Sequence, residues 1–179
     1  MQLTVDSLRA RCYEAHFFGL GFIQVKLDRG NRVHFYHPDL PAFVEEPHDH
    51  RYWFVSEVLR GVLRNYIYEL DEGGDPVLVE YETCTADSEE EIPDPEEGGL
   101  VYLGQFDTAA GSGYYMPVDT FHRVKPLYEH GPCVTFLRRG DVVKQFARVI
   151  RTGEEPVCPF SRPIPDSKLW EMVEDCLRQ

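Results

Sequence analysis

From Phe22 onward the chain repeats one pattern: a short run rich in apolar, β-branched and aromatic residues, then a cluster of Gly, Pro, Asn or Asp. An extended chain puts alternate side chains on opposite faces, so such runs bury one face as strands while the clusters supply turn chemistry between them. "FIQVKLD" and "RVHFY" flank the turn "RGN" and predict two strands between Phe22 and Phe35. "HPDLPAFVEEP", residues 37–47, carries too many prolines for a central strand and reads as an edge connection. Tyr52 to Leu70, broken at Gly61, predicts a long hairpin that "DEGGDP" closes. Further strands follow at "VLVEYETCT", "LVYLGQF", "GYYMPV", "HRVKPL", "CVTFLRR" and "KQFARVI". So many short strands predict an all-β sandwich or barrel.

Helical spacing is confined to the two ends. Leu8, Cys12 and Ala15 predict an opening helix over residues 6–18, with Gly19 and Gly21 as its stop. Leu169, Val173 and Leu177 line one face of a closing helix over about residues 166–178, behind Asp166 as its cap. A chain of 179 residues buries enough surface to fold without staples, so a single domain over 1–179 is expected, with its barrel core at about 22–150. Residues 87–99, within which "DSEEEIPDPEE" falls, read as a solvated acidic loop.

Charge narrows the partners. With 31 acidic against 18 basic residues the net charge is −13, a field that repels nucleic acid. No apolar run is long enough to span a bilayer, so no membrane partner is expected. The N-terminus lacks the basic and apolar regions of a secretory signal, and Cys12, Cys84, Cys133, Cys158 and Cys176 are odd in number with no CxxC pair. Both features point to reduced thiols and a cytoplasmic protein.

"EEPHDHRYWF" then stands out, because His48 and His50 sit two apart on a predicted strand and therefore share a face. A pair of ordinary hydrogen-bonded histidines fits that triplet as well as a metal site does. The second half of the chain adds "GSGYYMPVDTFHRV", in which a glycine turn and a proline precede a single histidine, His122, at a strand start.

Together these segments resemble the cupin superfamily, whose two motifs are G-x5-H-x-H-x3–4-E-x6-G and G-x5-P-x-G-x2-H-x3-N. His48, His50 and Gly61 fall on the first, with Ala42 in place of its glycine and Phe54 in place of its carboxylate. Gly111, Pro117 and His122 fall on the second, from which Asp119 and Pro126 depart. The resemblance implies a cupin jelly-roll barrel, a double-stranded β-helix, with His48, His50 and His122 as metal ligands. A three-histidine set without the glutamate is similar to that of the thiol dioxygenases related to cysteine dioxygenase. That implies iron(II) as the favoured metal, with zinc, manganese or nickel as alternatives. This chain has no cysteine beside the HxH strand for the crosslink of that subgroup, and no secure match for its carboxylate-binding arginine.

Other groups are candidates by residue type. Glu57 is a candidate general base or fourth ligand, and Tyr66, Tyr68 and Tyr115 are candidate phenols for the barrel interior. Arg60, Arg64 and Arg123 are candidate clamps for an anionic substrate. The bland alternatives are solvated or salt-bridged strand residues and aromatic filling. "HPD" at His37–Asp39 offers a second H-x-D arrangement that His122 could complete, though its proline favours a turn. His16, His34 and His130 have no partner at ligand spacing.

Three function classes follow. The first is an iron(II) dioxygenase acting on a small polar metabolite such as a thiol. The second is an isomerase, epimerase or lyase using the same ion as a Lewis acid. The third is a ligand-binding cupin without chemistry. A homodimer is compatible with all three.

Overall fold

A computed structural model of the chain describes residues 3–18, 20–40, 45–82, 91–151 and 165–178. Ala42, Gly19, Cys84, Cys158 and residues 87–90 lie outside these segments. Among the described residues the structure is β-rich: ten strands in two antiparallel sheets, with helix α1 (Val5–Arg9) at the start and α2 (Asp166–Arg178) at the end.

The larger sheet contains β1 (Glu14–Phe18), β2 (Phe22–Lys26), β3 (Asn31–Tyr36), β9 (Cys133–Val142), β4 (Tyr52–Arg60) and β7 (Gly113–Met116), in that spatial order. In the smaller sheet, β5 (Val62–Glu82) lies beside β6 (Glu96–Ala109) on one side. Its other side pairs with β8 (Phe121–Pro126) along Leu63–Tyr68 and with β10 (Ala147–Arg151) along Leu78–Glu82.

Alternation along the strands sorts side chains into layers. One face of the larger sheet, with Ile23, Val25, Val33, Phe35 and Val134, packs on Leu8 of α1 and on Leu169, Met172, Val173 and Cys176 of α2. The opposite face, with Phe22, Tyr36, Val58 and Cys133, meets Leu63 of the smaller sheet. Tyr52, Phe54, Met116 and Leu137 continue that inner layer against Ile67.

Four local expectations are corrected. The opening helix ends at Arg9, and Glu14–Phe18 is strand β1, paired along β2. Cys12 and Ala15 pack on the same layer as Leu8, so a short helix and the strand after it imitate one longer helical stripe. Thr4 and Ser7 cap α1 reciprocally, but sheet pairing takes over within the next turn.

The expected hairpin across Gly61 is not one, because β4 and β5 belong to different sheets. Gly61 has φ 70°, and a Cβ there would meet the Pro132 carbonyl oxygen at 2.5 Å, so the chain turns a corner where only glycine fits. "DEGGDP" does not end its strand either. Leu70 and Asp75 both pair with Leu100, which leaves residues 71–74 bulged out while β5 continues. Glu96–Gly99, read as loop, are strand and pair with Val79–Pro76.

Cys12, Cys133 and Cys176 are free thiols, and burial raises Cys133 and Cys176 to about 12. Among the described residues no helix is long and apolar enough to cross a membrane.

Candidate metal centre

Main-chain pairing brings the three histidines together. His48 exchanges two backbone hydrogen bonds with His122, at 3.0 and 2.9 Å, so the two residues stand directly opposite. On its other side the same segment pairs with β10: Ile150 N–H donates to the Pro47 carbonyl and Asp49 N–H to the Arg148 carbonyl. Residues 47–49 thus form a short rung between β8 and β10, and His50, two residues on, faces the same way as His48.

Asp49, between the two histidines, points to the opposite side and is fully buried. It accepts from Lys144 Nζ at 2.6 Å and from Arg148 N and Nε at 2.8 and 2.7 Å. These bonds pin the HxH segment to the β10 side of the sheet.

The ligand atoms of His48, His50 and His122 all lie within 4.8 Å of one another. His50 Nε2 and His122 Nε2 are 2.9 Å apart. Two nitrogens bound to one ion at about 2.0–2.1 Å, at octahedral to tetrahedral angles, stand roughly 2.8–3.4 Å apart, so this spacing suits a shared ion. His48 Nδ1 lies 3.0 Å from the Glu46 carbonyl oxygen, which only accepts, so Nδ1 is the donor of that bond and Nε2 is the atom left to face an ion. Burial, with the neighbouring His48 ring acting in the same direction, holds His50 and His122 well below the usual imidazole range. Neutral rings are what a metal requires. The donor set therefore fits a borderline divalent cation, and the arrangement is compatible with a cupin-like metal site.

Around the rings the wall is aromatic. Phe54 meets His50 edge-on at 4.9 Å and is buried, so the position where the cupin motif carries a carboxylate is apolar here. Tyr52 stacks on His50 at 5.5 Å.

Most of the other sequence candidates lie elsewhere. Glu57 is exposed, on the face of β4 opposite Phe54, so strand parity removes it as ligand or base. Tyr115 is 57% exposed and packs on Trp53, while its neighbour Tyr114 turns inward against Phe54 and is pushed up to about 12 by burial. Arg60 donates to the Cys176 carbonyl at the end of α2, and Arg64 is committed to Asp107 through two hydrogen bonds. His37 is buried and bonded to Asp175 at 2.9 Å, so the alternative "HPD" triad does not assemble. Tyr68 pairs across from Phe121 and packs on the Val79–Phe121–Ile150 cluster. Tyr66 and Arg123 form a cross-strand pair, with the guanidinium 4.8 Å above the ring, on the wall of a cavity that Glu45 also lines.

Glu45 is the site residue that sequence reasoning missed. Its Oε1 lies 4.0 Å from His48 Nε2, and its Oε2 accepts from Val124 N–H at 2.6 Å. Burial raises its pKa, against the opposing effects of His48, the Val124 N–H and Arg123. The only sequence signal was an acid three residues before the HxH pair, in a segment too proline-rich to assign a direction.

No protein-family model matches the chain, and no curated protein is significantly similar to it.

Proposed function

We propose that the protein is a mononuclear metal-dependent cupin, with His48, His50 and His122 holding a divalent ion and iron(II)-dependent oxidation of a small polar metabolite, such as a thiol, as its reaction. The observation that carries this is the convergence of three imidazoles from two distant segments beneath an apolar wall. Two facing antiparallel sheets support the jelly-roll reading, and the HxH and distal-histidine motifs support the cupin resemblance. When bound, the ion would supply Lewis acidity and, as iron(II), a redox centre for dioxygen chemistry.

The chain's own residues do the rest. Three neutral ligands leave the cation's charge uncompensated, which favours an anionic substrate donor such as a thiolate. Phe54 and Tyr52 exclude water from one side of the rings. Asp49 holds the two nearer histidines in register.

Glu45 favours a second reading in the same site. A buried carboxylate beside His48 can hold or pass a proton at Oε1, which suits isomerisation or elimination assisted by a Lewis acid. Glu45 takes the role first assigned to Glu57.

The test is metal analysis of the purified protein, followed by reconstitution with iron(II), zinc, manganese or nickel and measurement of oxygen uptake with candidate thiols. Stoichiometric, His122-dependent metal binding with oxygen consumption is the expected result. Anaerobic turnover with zinc or manganese would select the second reading. No restorable metal at all would refute both.

A further inference from the structure

Past His122, strand β8 loses the neighbour that holds its outer edge. On the β8 side the rung of residues 47–49 reaches His122 alone among the described residues, and the next outward donor on that edge, Val124 N–H, is met by the Glu45 carboxylate. A cavity of about 370 Å³ opens there, within the usual size of a small-molecule site. The ends of β2 and β3 contribute Phe22 and Tyr36 to its wall, and Tyr128 adds a third ring.

Its charges are of opposite sign and differently placed. Glu45 spans from the cavity to His48, so one side of the cavity borders the metal centre. Arg123 lines it with its guanidinium over Tyr66 and its Nε buried without a hydrogen-bond partner. Arg123, like Arg51 and Arg139, forms no ion pair among the described residues, and the groups that feel its charge are the Tyr68 hydroxyl and Glu45. Lys125 adds a second positive charge to the wall. A planar guanidinium preset on an aromatic face, with a buried donor unused, is a receptor for a carboxylate.

The geometry points to this cavity as the ligand site of the protein, taking a small carboxylate with an apolar body. The anionic end rests on Arg123 and the body on Phe22, Tyr36 and Tyr128. The other end, bearing a hydroxyl, amine or thiol, meets Glu45 at the histidine side. Calling this ligand the substrate rests on the proposed metal function; carboxylate binding itself does not need the ion.

The experiment uses the full chain, with metal content measured on the same sample. 3-Phenylpropionate and its neutral amide, 3-phenylpropionamide, are titrated by calorimetry, and the Arg123 Nε–H resonance is followed by NMR. The acid is expected to bind at least tenfold more tightly than the amide and to shift that resonance. Arg123→Gln is expected to lose the preference while amide binding stays unchanged. Equal affinities for acid and amide, or an unmoved Arg123 signal in the wild-type protein, would overturn the inference even if Arg123→Gln fails to fold. Preference for the acid in a protein that takes up no metal upholds the carboxylate site and refutes the metal function. Metal uptake without the preference does the reverse.

Discussion

Asp49→Asn tests whether the pairing that gathers the three histidines depends on one buried carboxylate. Asp49 has 0% side-chain exposure, while its partners Lys144 and Arg148 retain 21% and 25%. Removing one member of a buried ion pair costs about 3–5 kcal/mol. Here the cations keep some solvent, Lys144 keeps Asp119 at 3.2 Å, and asparagine still offers an oxygen to Arg148 N–H, so about 2–3 kcal/mol is expected. At roughly 2–4 °C per kcal/mol for a domain of this size, the melting temperature should fall by about 5–10 °C. Loosening of the HxH segment should also weaken cobalt(II) or zinc binding by about 10–100-fold, the usual effect of losing a group that orients metal ligands. Asp119→Asn is the control, since Asp119 is 77% exposed and its loss should cost under about 1 kcal/mol. Thermal denaturation and metal titration of the two variants decide the matter. If Asp49→Asn melts and binds metal as Asp119→Asn does, Asp49 is not what holds the histidines.

Three other outcomes are expected. His122→Ala should lower transition-metal affinity by about a hundredfold or more, whereas His34→Ala, whose ring pairs with Gln24, should leave it unchanged; calorimetric titration separates them. Metal-free protein should lose stability as the pH falls. Burial holds His34 at about 3 when folded, against an ordinary value near 6.5, so below pH 6.5 the unfolded chain binds protons that the folded chain refuses. His50 and His122 act in the same direction, and each such group contributes up to about 1.4 kcal/mol per pH unit, present in full above pH 6.5. Urea midpoints that stay level between pH 7 and pH 5 would contradict neutral burial. Gly61→Ala should destabilise by at least about 2 kcal/mol, because a Cβ there combines a positive φ with a 2.5 Å approach to the Pro132 carbonyl; chemical denaturation measures it.

How far the sequence was readable depends on what each signal physically encodes. His48 and His50 were legible as a pair because an extended chain repeats every two residues, whatever it packs against. Tyr115 and Glu57 show the limit of that rule. Each is one residue from an inward-facing position, Tyr114 or Ser56, and the faces are set by pairing with β4, β7 and β9. β7 is only four residues long, too short to reveal its own phase. Gly61 was legible as a break, but the direction taken after it was not. A tight hairpin and a corner between sheets both call for glycine, and only the Pro132 backbone across the gap distinguishes them.

The sequence by itself determined the β-rich class, the closing helix and the shared face of His48 and His50, because local periodicity does not depend on distant partners. Tertiary structure alone decided that residues 47–49 run between β8 and β10, that His122 stands opposite His48, and that Glu45 and Arg123 share a cavity beside them. These are contacts between residues 72 positions apart or more. Their geometry comes from which strand edges remain unpaired once the sheets have formed, and that property belongs to no single segment.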